Sequence, residues 1–161
     1  MSEDEKPGEL QGLMVFMASI AHGLETVLGR GASTITFRAG RTIGLKSDLT
    51  SKETEAVAAL AILDKELRKH GIVWPFEPWK PEAETSLAYK KDGKTAMKLV
   101  FRNCMVRCSL ARYSHEQKQS LCMMNHGLFC GYLQKITGKK AELEILHAGE
   151  NACLKELVLS D

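Results

Sequence analysis

Apolar residues recur every three or four positions from Glu9 to Leu28, the spacing that places side chains on one side of a helix. Phe16 falls outside this stripe and widens it, so the predicted helix is apolar over more than one face. Such a helix needs a second packing partner, and a symmetry-related copy would supply one. The pattern therefore predicts a homodimer. Residues 1–8, which are mostly polar and end at a proline–glycine pair, are expected to form a disordered cap.

Two more helices are predicted before residue 72. Residues 32–46 include a run of strand-forming side chains, but the apolar residues also fit a helical face, and the helix is favoured. The next helix has Thr50 or Ser51 as its N-cap residue and Gly71 as its C-cap. Helices are therefore expected to dominate the first 70 residues.

The middle of the chain changes to a strand pattern. Three prolines within residues 74–81 exclude a central strand there, because proline donates no backbone hydrogen bond, so this segment is a loop or a sheet edge. The pair Asp92-Gly93 is a signal for a two-residue hairpin turn. After the turn, Met97, Leu99 and Phe101 alternate with other residues and share one face of a predicted strand.

A long helix and a second hairpin complete the predicted elements. Ser114 with Gln117 has the capping-box pattern, and the helix it begins is expected to run to about Thr137. Strands are predicted at 141–148 and 153–159. This order of elements predicts an α+β fold with a helical layer on an antiparallel sheet, in one domain over residues 9–161.

Composition excludes several classes of function. The net charge of +2 is too small to indicate nucleic-acid binding, and no apolar run reaches the roughly 18 residues that span a bilayer. The acidic N-terminal residues do not resemble a secretory signal. Five cysteines, an odd number, then indicate a cytoplasmic protein whose thiols are free or bind metal.

Two groups of cysteines have spacing compatible with metal binding but are better explained by packing. Cys122, His126 and Cys130 lie four residues apart and share a helix face. Cys104 and Cys108 share one side of a strand. Because free cysteine behaves as a small buried hydrophobe, core packing is the favoured interpretation of both groups.

A third group combines residues from the helix and the final hairpin. Cys122, His147 and Cys153, with Glu142 or Glu144, offer thiolate, imidazole and carboxylate, all of which are zinc ligands. Four protein ligands would make the zinc structural. The alternative is a hydrogen-bonded histidine beside two packed thiols, because the chain lacks a CxxC signature.

Two glycines on the long helix, Gly127 and Gly131, allow another backbone to approach closely or leave room for a ligand. Residues on this helix and on the strand after the first hairpin could line such a pocket, with the Tyr132 hydroxyl as the polar group that contacts a ligand. The predicted lining residues are Met97, Leu99, Phe101, Leu128, Phe129 and Tyr132.

Three segments together resemble the vinyl-4-reductase-type domain, a family that includes small hydrocarbon-binding proteins. They are the helix from Cys122 to Gly138, the hairpin from His147 to Cys153, and the glycine-containing stretch 35–44. The family is similar in fold to ligand-binding domains of phenol-sensing bacterial activators and to subunits of the TRAPP tethering complex. This fold is the ligand-binding fold of NO-signalling and Golgi-transport proteins.

The resemblance implies an apolar pocket between helices and sheet, and dimerisation through the first helices. In sensor members, cysteines and a glutamate hold zinc. Carried over, Cys122 and Cys153 match two of those cysteines, Glu144 or Glu142 matches the glutamate, and His147 stands nearest the third cysteine.

These features favour a binding module, a sensor or carrier that holds a small hydrophobic or aromatic molecule. Its output would pass to a protein partner. One alternative is an enzyme that reduces a vinyl-bearing tetrapyrrole, although no flavin or nicotinamide fingerprint supports it. The other alternative is a structural subunit of a protein assembly.

Overall fold

The computed structural model describes residues 6–82, 85–104, 106, 119–149 and 152–161. It contains four helices and five strands within those ranges. The helices are α1 (Lys6–Leu28), α2 (Gly31–Lys46), α3 (Ala56–Lys69) and α4 (Ser120–Thr137). The strands are β1 (Phe76–Trp79), β2 (Ala88–Lys91), β3 (Lys94–Arg102), β4 (Lys140–Ala148) and β5 (Ala152–Ser160).

The strands form one antiparallel sheet in the order β1-β3-β5-β4, and β2 pairs with β3 beside β1. The helices pack on it, which confirms the predicted α+β fold. The ring of Phe129 on α4 lies 5.4 Å from that of Phe101 on β3. Phe101 therefore marks the face of the sheet that is covered by α4.

The hairpin and edge-strand predictions are confirmed. Asp92 and Gly93 both have positive φ, +50° and +77°, as the tight turn between β2 and β3 requires. The proline-containing strand β1 pairs only with β3 in the described sheet and so forms part of an edge. Residues 32–46 are helical, as favoured, within α2.

Helix starts differ from the predictions. Helix α1 begins at Lys6, so residues 6–8 belong to it and not to a cap; residues 1–5 lie outside the described part. Helix α3 begins at Ala56, later than Thr50 or Ser51 would place it. Glu55 caps α3 because its carboxylate accepts hydrogen bonds from the backbone N–H groups of residues 57 and 58. The predicted capping box at Ser114 and Gln117 lies outside the described residues.

Helices α2 and α4 cross with their backbones in contact, through two glycines on each. A Cβ on Gly44 would lie 2.6 Å from the backbone oxygen of Leu128, and a Cβ on Gly40 would overlap the backbone of Met124. From the other side, Gly127 and Gly131 face the backbones of Phe37 and Arg41. The interpretation of Gly127 and Gly131 as a close-packing pair is therefore confirmed, and α2 occupies the space beside them.

Helix α1 exposes a large part of its apolar surface. Phe16 is 62% exposed, and Leu13, Met17, Ile20 and Val27 are also exposed. Only Ala18 and Ala21 are buried among its described side chains. No helix in the described ranges is long and apolar enough to cross a membrane.

Candidate functional site

The described interior contains a lysine on the helix-facing side of the sheet. Lys155 lies near the middle of β5, opposite Leu99 of β3 and Ile145 of β4. Because side chains alternate along a strand, Lys155 shares a face with Cys153 and Leu157. It is only 4% exposed, so its ammonium group lies beneath α4.

Aromatic rings contact the Lys155 ammonium. Its Nζ lies 4.0 Å from the centre of the Phe101 ring and 5.2 Å from that of Trp74. Within the described residues, no hydrogen bond or carboxylate partner is found for this nitrogen. Burial lowers the pKa of Lys155, and neighbouring thiols, first among them Cys104 and then Cys153, act in the opposite direction.

His126 of α4 adds an imidazole to the same interior. The side chain is 1% exposed, and neither ring nitrogen has a hydrogen-bond partner in the described structure. The Leu143 backbone is close enough to influence the ring but does not meet hydrogen-bond geometry. Burial, reinforced by the charge on Lys155, lowers the pKa of His126 to about 3. The imidazole is therefore neutral near pH 7.

Trp74 supplies another polar group without a partner among the described residues. It is 2% exposed, and its Nε1 has no hydrogen-bond partner among the described residues; the buried Ser120 hydroxyl is in the same condition. The indole belongs to a cluster with Phe76, Phe101 and Phe129, whose ring centres lie 5.1–5.8 Å apart in the contacting pairs. The site thus combines flat apolar rings with unpaired polar groups.

The six predicted pocket residues occupy two places. Met97, Leu99, Phe101 and Phe129 are fully buried in the core, next to Trp74 or its neighbours. Leu128 and Tyr132 line a surface cleft of about 680 Å³ between the end of α2, the segment after α3, and α4. The pocket remains a prediction. Of the two places, the interior around Trp74 is the one that contains unpaired polar groups.

The predicted zinc ligands are not brought together. Glu144 is paired with Glu156, so the two share a face of the sheet, and Glu156 is three positions from Cys153. Glu144 therefore points away from the face that carries Cys153. Glu142, two positions from Glu144, shares that outer face and forms an ion pair with Lys140.

The other three predicted ligands lie in two different surroundings. His147 is exposed and its ring lies over the turn at Gly149, while Cys122 and Cys153 lie in the surroundings of Lys155. A cationic ammonium between thiols does not favour a dication. The arrangement therefore does not fit a four-ligand zinc, and zinc binding by these residues remains an untested prediction.

The helix-face alternative also lacks metal-site geometry. Cys130 is fully buried, and burial raises the pKa of its thiol to about 12, which opposes the thiolate form that metals bind. In the described chain, neither the helix-face group nor the group from the helix and final hairpin has three ligand atoms close enough to share an ion.

One such set does occur, and the sequence did not indicate it. Ligand atoms of Asp48, Glu66 and His70 all lie within 4.8 Å of one another beside the surface cleft. Glu66 is buried but already paired, with Lys69 at 2.7 Å and His70 at 3.5 Å. An ion-pair network accounts for this group without a metal. The only signal in the sequence was the i,i+4 spacing of Glu66 and His70.

Sequence reasoning also missed Lys155 and Trp74, although a signal for Lys155 existed. It occupies an alternate position with Cys153, Leu157 and Leu159, so the strand pattern places it on the apolar face. Trp74 carried no such signal because it precedes β1 in an irregular segment.

Comparison with known proteins gives a similarity in fold. No protein-family model and no curated protein sequence matches the chain. Among solved structures, the chain is similar to the phenol-responsive sensory domain of the transcription activator PoxR, determined with phenol. The TM-score is 0.62 at 15% sequence identity, covering 91% of this chain and 74% of that one. At that identity the similarity shows the fold alone.

Proposed function

We propose that this domain binds a small aromatic or other hydrophobic molecule between α4 and the sheet, and acts as a sensor or carrier. The observation that carries the proposal is the presence of unpaired hydrogen-bonding groups, on Trp74 and His126, beside a cluster of aromatic rings. Each buried group without a partner costs about 1–3 kcal/mol. A ligand that carries a hydroxyl or carbonyl on an apolar body would remove that cost.

The chemistry of the interior fits such a ligand. Rings of Phe101 and Phe129 offer apolar surface, and the indole N–H of Trp74 can donate to a ligand oxygen, while the neutral His126 can donate or accept. Trp74 lies in the irregular segment between α3 and β1, so its movement would admit a ring without disturbing a helix or strand. The fold shared with a phenol-responsive sensory domain supports the same function.

A direct test is the affinity of the protein for phenol, used as a small hydroxylated aromatic probe. Trp74→Phe keeps an aromatic ring but removes the indole donor, and we expect binding to weaken by about three- to tenfold, the effect of one hydrogen bond. Trp79→Phe is the matched control because Trp79 is partly exposed on the edge strand β1. Equal affinities of the two variants would contradict the role of Trp74.

We also propose that α1 forms a homodimer interface. Its exposed apolar residues lie on a helix whose described buried residues are alanines, so these exposed side chains are not covered by the rest of the described chain. The closed two-fold pairing of identical surfaces is the commonest way to cover such a face.

A further inference from the structure

The charge on Lys155 is not matched by the structure that surrounds it. Its neighbour on the same strand, Glu156, points to the other face and is fully paired: the Tyr89 hydroxyl donates to its Oε1 at 2.6 Å, and Lys91 contacts Oε2. The chain thus pairs one buried charge of β5. Within the described residues no carboxylate lies against Lys155, and only thiols and aromatic rings surround its ammonium.

The aromatic contacts of Lys155 do not replace an anion. The attraction between a cation and a ring face is weaker than the cost of burying the charge. An ammonium group also has three N–H donors, and a ring face accepts only weakly from one side. Rings and thiols are weak acceptors, so a ligand oxygen would be a stronger partner for the Lys155 ammonium than the groups that now surround it.

The indole of Trp74 places a second donor near this ammonium. Its ring centre is 5.2 Å from Nζ, and its N–H has no partner in the described structure. The two donors therefore belong to one neighbourhood, and a carboxylate, which accepts hydrogen bonds on both oxygens, can take one from each. A neutral phenol would satisfy the indole or His126 but would leave the ammonium unpaired.

We propose that the ligand of this domain is an aromatic carboxylate, held by Lys155 and Trp74 at its carboxylate and by Phe101 and Phe129 at its ring. This inference rests on the proposed function and narrows it from small aromatic molecules to aromatic anions. The contact is non-covalent: an ammonium–carboxylate ion pair supported by an indole hydrogen bond in a site with little water, where such bonds are strongest.

The experiment compares benzoate with benzyl alcohol, a neutral molecule of similar size and shape, by calorimetric titration of the purified full chain. Wild-type protein is expected to bind benzoate at least about tenfold more tightly, as a hydrogen-bonded charge pair implies. Lys155→Met, which keeps the length and removes the charge, should lose that preference while still binding benzyl alcohol. Lys90→Met removes an exposed lysine of β2 and should change neither affinity.

The outcomes separate the two proposals. If wild type binds benzyl alcohol as tightly as benzoate, or if Lys155→Met still prefers benzoate, then Lys155 does not bind the carboxylate. Only the proposal of a general aromatic site would then stand. If neither compound nor phenol binds to wild type, both proposals fail. Should Lys155→Met not fold, as circular dichroism would show, Lys155→Gln and the wild-type preference decide the question.

Discussion

Trp74, His126 and Lys155 each carry a polar group into the core, and together they define the chemistry of the site. They come from an irregular segment, from α4 and from β5. Most buried polar groups in proteins are hydrogen-bonded, so the unpaired nitrogens of Trp74 and His126, beside the buried charge of Lys155, need a common explanation. A ligand that accepts from Trp74 and Lys155 provides it, and the neutral His126 can complete the set.

A second residue whose effect can be predicted is Glu55, the N-cap of α3. Hydrogen bonds from backbone N–H groups lower the pKa of its carboxyl, so its stabilising contribution is present above the usual glutamate pKa and is lost as pH falls through the lowered value. Glu55→Ala should lower the free energy of unfolding by about 1 kcal/mol at pH 7. In urea titrations, the difference from wild type should shrink at pH 3.

The control for Glu55 is Glu82→Ala, an exposed glutamate in the loop after β1, which should stay within about 0.5 kcal/mol of wild type at both pH values. A Glu55 effect that is the same at pH 3 and pH 7 would show that the charged carboxylate does not act as the cap.

At the scale of elements, the crossing of α2 and α4 fixes the position of α4, the helix that covers the site. Because Gly40, Gly44, Gly127 and Gly131 let the two backbones touch, α4 is held in place above β3 and β5. His126, Phe129 and Cys130 are thereby directed at the sheet. Because glycine has no side chain, nothing separates the two helix backbones at these four positions.

Substitution at the crossing should therefore be costly. Gly44→Ala would place a Cβ 2.6 Å from backbone atoms of α4, and we expect a loss of about 1–3 kcal/mol or more in the free energy of unfolding. Gly23→Ala in α1 meets nothing within 4 Å and should be neutral or stabilising by about 0.4–1 kcal/mol. Chemical denaturation of both variants measures this, and equal stabilities would contradict the close crossing.

The elements show which parts of the structure could be predicted from sequence. The hairpin at Asp92-Gly93 and the strands β4 and β5 followed from turn chemistry and alternation, which are local. The zinc hypothesis depended on which face of the sheet Glu144 occupies. That is set by the pairing of β4 with β5 and by the shift between Ile145 and His147, neither of which the sequence reveals.

At the scale of the whole molecule, the exposed side of α1 predicts self-association. Phe16→Glu would place a charge in the centre of the apolar surface, so we expect the dimer to weaken strongly in light scattering coupled to size-exclusion chromatography. Val73→Glu, at an exposed apolar residue in the loop before β1, is the control and should leave the dimer intact. A wild type that is monomeric at high concentration would refute the interface.

The central claim is that a small aromatic molecule enters the core beside Trp74. The two tryptophans give two indole N–H signals in a ¹⁵N-correlated NMR spectrum, assigned with Trp74→Phe. On addition of phenol or benzoate, the account predicts that the Trp74 signal shifts as its N–H gains an acceptor, while the signal of the edge residue Trp79 stays in place. A Trp74 signal that does not respond to saturating concentrations of either compound would contradict the account.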